Sequence, residues 1–244
     1  IYRQKKPFEK ITKKSNSYVF NCFNIAIKLI KRKKILGFVN CPVSKETLFK
    51  NKYQGITEFL SKRAGKTGNE VMLIYNKKLS VSLLTTHIPI KNISNKIVKS
   101  KIVKKVVIIN NFFKNTFEKK PKFAVLGLNP HCFSSEKKSE EKEIILPSIR
   151  NLKKKGIKII GPISPDTSFM FFKEKKIDVI FGMYHDQVLT PFKALFKYNA
   201  INITLGLPYI RTTPDHGVGK DIIARKKANP KSLIESIKFF NYIK

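Results

Sequence analysis

The feature that most constrains this chain is a recurring alternation. Short apolar runs of strand length at 35–39, 71–75, 79–84, 123–127, 157–160, 179–182 and 200–204 are separated by stretches with helical periodicity. The helical stretches fall at 17–33, 57–64, 94–117, 139–155, 188–196 and 231–243, with Gly65 and Gly156 closing two of them. Runs that are apolar throughout belong to strands buried on both faces. The expected fold is therefore α/β, a mainly parallel sheet covered by helices on either side. A length of 244 residues suits one large domain or two closely joined lobes. No apolar run reaches the roughly 18 residues of a membrane span, and the opening residues Ile1–Lys6 lack the apolar core of a signal peptide.

Charge is the unusual bulk property, with a formal net value of +34. The excess is almost all Lys, spread along the chain instead of gathered in one stripe, with Arg only at 3, 32, 63, 150, 211 and 225. Dedicated nucleic-acid surfaces cluster Arg with aromatics, so no specific nucleic-acid partner is expected, though the field can draw in an anionic substrate. Cys22, Cys41 and Cys132 are few, odd in number and widely spaced. That pattern argues against a disulfide framework and for a reducing cytoplasm.

Ligands of such folds gather where strands end, and three histidines stand there. His87 follows the run at 79–84, His131 the run at 123–127 and His185 the run at 179–182. Imidazoles from three strand ends can converge on one divalent ion, with Asp186 and Asp166 to orient the rings or complete the shell. The same histidines read equally as loop hydrogen-bonders, since no compact HExxH motif is present. Lys193, Asn202 and Arg211 form an anion-binding group suited to a phosphate monoester. Arg211 is the sharper signal in a chain crowded with Lys. A third stretch, Asp215-His216-Gly217-Val218-Gly219-Lys220-Asp221 followed by Asn229-Pro230, could let backbone approach a cofactor, or could be a surface turn. The GxGxxG dinucleotide fingerprint is absent.

Six segments lie in one order: Gly55-Ile56-Thr57-Glu58-Phe59-Leu60, Thr85-Thr86-His87-Ile88-Pro89, Gly127-Leu128-Asn129-Pro130-His131, Gly161-Pro162-Ile163-Ser164-Pro165-Asp166-Thr167, Met183-Tyr184-His185-Asp186-Gln187 and Asn202-Ile203-Thr204-Leu205-Gly206-Leu207-Pro208. Together they resemble the 4-hydroxythreonine-4-phosphate dehydrogenase family, within the isocitrate/isopropylmalate dehydrogenase-like superfamily. The resemblance runs from about Ile35 to the end of the chain. It implies a two-lobed α/β/α fold, with 1–54 and 190–244 on the cofactor side and 55–189 on the metal and substrate side. It also implies a homodimer whose active site draws on both subunits.

By the same resemblance His87, His131 and His185 hold one divalent metal per site (zinc, magnesium or cobalt). Thr57, Lys193, Asn202 and Arg211 bind substrate, and His216, Gly217, Asp221 and Asn229 bind NAD. The implied reaction is NAD-dependent oxidation and decarboxylation of 4-phosphohydroxy-L-threonine to 3-amino-2-oxopropyl phosphate, in pyridoxal phosphate biosynthesis. Asp186 and Asp166 are the candidates for general base. The chain departs from the family at Ile56, where the family has His, at Cys132–Glu136 in place of a glycine-rich stretch, and at Ala224 and Lys226 in the cofactor loop. The family's N-terminal segment is missing, so a fragment with weak turnover is expected. Two other readings stay open: a dehydrogenase of a phosphorylated sugar acid (threonate or erythronate 4-phosphate), and a degenerate non-catalytic paralogue.

Overall fold

A computed structural model describes residues 11–50, 52–53, 55–133, 138–223, 225 and 227–243. The opening residues Ile1–Lys6, the departures at Ser134–Glu136, and Ala224 and Lys226 of the cofactor loop lie outside the described residues.

In chain order the helices are α1 (Lys13–Lys31), α2 (Lys45–Phe49), α3 (Ile56–Arg63), α4 (Lys99–Phe117), α5 (Leu146–Lys154), α6 (Pro165–Ser168), α7 (His185–Phe196) and α8 (Lys231–Lys238). The strands are β1 (Gly37–Val39), β2 (Val71–Tyr75), β3 (Ser80–Leu83), β4 (Phe123–Leu126), β5 (Ile159–Ile163), β6 (Val179–Gly182), β7 (Ile201–Leu205) and β8 (Ile210–Pro214). They join in one sheet in the order β1-β8-β7-β2-β3-β6-β4-β5. Parallel ladders link β1 to β8 and run through β3, β6, β4 and β5. Antiparallel ladders join β8 to β7, β7 to β2 and β2 to β3. The sheet is continuous across both expected lobes, and the expected boundary at 189/190 falls within α7.

Two-sided burial is visible in the strand alternation. Val71, Leu73, Phe123, Val125, Val179 and Phe181 pack on one face with Ile102, Val106 and Ile109 of α4 and Ile149 of α5. Their alternates Ile74, Ala124, Leu126 and Ile180 pack on the other face with Val188 and Phe192 of α7. This is the period-2 geometry of a strand with both faces dry. A third cluster joins Phe23 of α1, Phe49 of α2 and Phe59 of α3, with Phe23 and Phe49 each about 5.5–5.8 Å, ring centre to ring centre, from Phe59.

Helix α1 starts four residues earlier than its apolar periodicity indicates. Thr12 caps it, accepting from the Ser15 N–H at 3.2 Å while the Ser15 hydroxyl accepts from the Thr12 N–H at 2.9 Å. β8 has no counterpart in the apolar pattern. Its Arg211, Thr212 and Thr213 are buried polar residues, and the side chains of Arg211 and Thr212 find partners inside the protein, so burial there leaves no hydrophobic run to read.

Candidate active site

β3, β6 and β4 are parallel neighbours, so their C-terminal ends share one edge of the sheet. His87 follows β3, His185 opens α7 directly after β6, and His131 follows β4. Within one chain the structure brings two of these together. His87 and His185 have ring centres 6.0 Å apart, and both line a cleft of about 280 Å3.

His131 does not line this cleft. Its strand lies one position beyond β6, and the loop turns away through left-handed backbone at His131 (φ 54°) and Cys132 (φ 57°). The His131 Nδ1 lies 3.6 Å from Asp166 Oδ2, with both side chains largely exposed, at 77% and 55%. Among the described residues no group of three His, Cys, Asp or Glu side chains is close enough to hold a metal ion. Among the described residues of one chain, two of the three expected imidazole ligands, His87 and His185, come together.

The cleft floor is one face of the antiparallel strands. Arg211 and Thr213 on β8, Asn202 on β7, and Met72 and Ile74 on β2 all line it. The register sets Asn202 opposite Thr213 on one side and Ile74 on the other. One wall is α7, where His185, Leu189 and Lys193 follow at four-residue intervals and so share a helix face. His216 and Gly217 reach the rim.

Arg211 is only 3% exposed. Its Nε donates to Asn40 Oδ1 at 2.6 Å and its Nη1 to Thr204 Oγ1 at 2.9 Å. Burial pushes its pKa down to about 10, so the guanidinium stays charged at neutral pH. Asn202 Oδ1 is buried with no hydrogen-bond partner among the described residues. Lys193 Nζ donates to the Asp215 carbonyl at 2.9 Å and lies 3.3 Å from Asp215 Oδ2. Burial raises the Asp215 pKa, and Lys193 opposes the shift.

Burial lowers the pKa of His87, and Lys45 adds to the effect. At neutral pH the imidazole is therefore neutral, the form that accepts a proton or binds an ion. Asp186 Oδ1 is 2.7 Å from His185 Nδ1. A carboxylate there places the ring proton on Nδ1 and leaves the Nε2 lone pair free, so Asp186 acts on His185 as an orienting group. Asp166 does not line the cleft; the Ser164 hydroxyl bond, first, holds its pKa down.

Thr57 lies behind the floor, its Oγ1 3.4 Å from Thr204 Oγ1. It lines a second pocket of about 220 Å3 that shares Met72 and His87 with the first. Of the expected cofactor residues, Asp221 lies in a 3-10 turn outside the cleft lining. Asn229 lines a separate cavity beside Phe172 and Tyr198, and its Oδ1 accepts from the Lys231 N–H at 3.0 Å at the start of α8. The structure adds Asp215, Thr204 and Asn40, which hold Lys193 and Arg211 in place. Asp215 carried a sequence signal in its position next to His216, and Thr204 in the 202–208 segment, whereas Asn40 carried none. Ile56, where the family has His, is buried in the aromatic cluster of α1–α3 and also lines the cleft.

The chain is 44% identical over 216 residues to the 4-hydroxythreonine-4-phosphate dehydrogenase of Sulfurihydrogenibium sp., a match covering 87% of this chain and 66% of that protein. It is 33% identical over 232 residues to the D-threonate 4-phosphate dehydrogenase of Salmonella typhimurium, covering 94% of this chain and 71% of that one. A solved Salmonella typhimurium structure described as a 4-hydroxythreonine-4-phosphate dehydrogenase superposes with a TM-score of 0.83 at 33% identity, over 96% of this chain and 72% of its own. The chain thus spans just under two thirds of the length of the first of these relatives. Residues 1–240 match the family model described as pyridoxal phosphate biosynthetic protein PdxA, and the chain belongs to that family.

Proposed function

We propose that this chain carries the active-site cleft of an NAD-dependent dehydrogenase that oxidises and decarboxylates 4-phosphohydroxy-L-threonine to 3-amino-2-oxopropyl phosphate in vitamin B6 biosynthesis. The observation that carries the reading is the meeting of a buried, fixed guanidinium, an ammonium and an asparagine amide group, whose N–H can donate to phosphate, with two of the expected imidazole ligands in one small cleft. Lys193, Asn202 and Arg211 grip the phosphate, and that remote binding energy holds the carbinol carbon at the imidazole end. His87, kept neutral by burial, keeps its lone pair for the divalent ion at the hydroxyl end of the substrate. Asp186 fixes the His185 ring.

The chemistry that NAD supplies when bound is hydride acceptance. His216 and Gly217, at the rim of the cleft, are where the cofactor would approach. On this reading 1–54 and 190–244 form the cofactor side and 55–189 the metal and substrate side, with Asp221 and Asn229 further along the cofactor path.

For a divalent ion, zinc, magnesium or cobalt, one chain's donors are incomplete, and a homodimer would have to supply His131 from the second copy. The exposure of His131 supports that arrangement, as do Phe133 and Met170 in its neighbourhood, 71% and 70% exposed. No helix among the described residues is long and apolar enough to cross a membrane. The free Cys22, Cys41 and Cys132 support a cytoplasmic setting. The test is NADH formation with 4-phosphohydroxy-L-threonine, with and without added divalent metal; no NADH in either condition would refute the reading. A second reading, oxidation of threonate 4-phosphate, is favoured by the D-threonate 4-phosphate dehydrogenase relative.

A further inference from the structure

β4 and β6 form a ladder only as far as Val125, which pairs with Phe181. Continued by two residues, the same register would set Gly127 beside Met183. A side chain stands between that pair instead. Gln187 lies in the first turn of α7, two residues after His185, and is only 8% exposed. Its Oε1 accepts from the Met183 N–H at 2.7 Å, and its Nε2 donates to the Gly127 carbonyl at 2.7 Å. The orientation of the amide is unambiguous, because one neighbour can only donate and the other only accept. The Gln187 amide thus takes the place of a peptide group between two strand ends that no longer pair. Gly182 leaves room for it: a Cβ there would stand 2.9 Å from Gln187 Oε1.

The bridge continues on both sides. Thr85, two residues past the end of β3, donates its hydroxyl to the Met183 carbonyl at 2.7 Å. Beyond Gly127, the Leu128 and Asn129 N–H groups donate to Glu141 Oε1 at 2.8 and 2.9 Å, and Asn129 Nδ2 donates to Glu141 Oε2 at 3.0 Å. Thr85, Gln187 and Glu141 are all buried. The exits of the three strands that lead to His87, His185 and His131 are therefore joined by buried side chains, and Gln187 is the link between β6 and β4. Deleting a member of such a network leaves buried peptide groups unpaired.

We infer that Gln187 is a positioning residue for the histidines expected to hold the metal: its buried amide fixes the exit of β6, and so His185, against the exit of β4, and so the loop that presents His131. The inference rests on the proposed function and deepens it. His185 is two residues from Met183, and His131 is four from Gly127, so a shift at either anchor is carried to a ring. Asp186 orients the His185 imidazole, whereas Gln187 sets the backbone from which that imidazole projects. On the proposed dimer His185 serves the cleft of its own chain and His131 that of the second copy, so one amide conditions both sites. Partners that orient ligands without touching the ion govern metal affinity by about tenfold to a hundredfold.

The experiment is zinc binding by the full chain, read by competition with a chromophoric chelator, beside thermal unfolding of the metal-free protein. Gln187→Met removes both bonds without burying a charge. It should raise the zinc Kd by about tenfold to a hundredfold in protein whose far-UV circular dichroism is unchanged. Phe113→Leu controls for stability alone: Phe113 is buried on α4 against Phe112 and Phe117 and does not line the cleft. It should lower Tm and leave the zinc Kd as in the parent. An unchanged Kd in folded Gln187→Met overturns the inference, and so does an equal rise in Phe113→Leu. Should Gln187→Met fail to fold, Gln187→Glu keeps the shape and the Met183 bond but sets an oxygen against the Gly127 carbonyl; weaker zinc binding is expected there too, and an unchanged Kd overturns the inference. A parent that binds no zinc refutes the metal part of the functional reading itself, a result distinct from binding that the Gln187 variants leave intact.

Discussion

Arg211→Lys keeps the charge and removes the geometry. In the parent, Asn40 Oδ1 and Thr204 Oγ1 take one N–H each from Nε and Nη1. The other three of the five guanidinium donors have no protein partner among the described residues. A lysine ammonium in the same space is a point charge with three donors and cannot hold both neighbours while presenting a planar fork to a phosphate. Losing one charge-assisted bond to the ligand costs about 1.5–3 kcal/mol, roughly a tenfold to hundredfold rise in Kd. Releasing Asn40 and Thr204 lowers stability by a further ~1–3 kcal/mol. Titration calorimetry with the phosphorylated substrate reads the first effect and thermal unfolding the second. A lowered Tm with unchanged Kd would show that Arg211 braces β8 and does not touch phosphate.

Two further substitutions test neighbouring parts of the argument. Burial lowers the pKa of Lys105 to about 8 from its ordinary 10.5, so the folded state bears the cost of a buried charge below about pH 8 and is relieved of it as the pH rises toward 10.5. Lys105→Met should therefore be more stable than the parent at pH 7, by at most ~3 kcal/mol before the lost Leu84 bond is counted, and that advantage should shrink by ~2 kcal/mol by pH 9.5; urea unfolding at the two pH values checks this, and a constant difference would contradict it. Ile56→His restores the family's residue but puts an imidazole against Phe23 and Phe59; the expected result is tighter substrate binding with stability reduced by ~1–3 kcal/mol, and an unchanged Tm would show that Ile56 does not support the aromatic cluster.

Apolar patterning made seven of the eight strands legible, because a strand buried on both faces leaves a run of Val, Ile, Leu and Phe. It missed β8, where burial is achieved by Arg211 and Thr212 bonding inward. Strand direction was legible only in part. The run at 71–75 is as apolar as the runs that form parallel pairs, yet β2 is antiparallel to both its neighbours, β3 and β7, and nothing in hydrophobic periodicity encodes that. In the site, Lys193, Asn202 and Arg211 were found as a group and meet in the cleft, as do His87, His185, His216 and Gly217. The placement of His131 was not legible. Parallel strand ends locate a loop's origin, whereas two successive left-handed residues decide where its side chain goes.

The antiparallel centre of the sheet explains the division of labour in the cleft. On the parallel side, strands β3 and β6 deliver His87 from a loop and His185 from the first residue of α7, both beyond the strands' C-terminal ends, the usual source of chemistry in α/β sheets. The proposed phosphate grip comes largely from strand interiors instead, with Asn202 and Arg211 on β7 and β8 and only Lys193 on a helix. Residues within strands are held by ladder bonds on both sides and move less than loop residues. On the proposed function the anchor for the unreactive end of the substrate is thus built into the sheet, while the groups at the reacting carbon stand on its rim. A rigid phosphate anchor with an adjustable reactive rim is the arrangement in which remote binding energy positions a small substrate. It also accounts for the cost of keeping a guanidinium almost wholly out of water in the middle of the sheet.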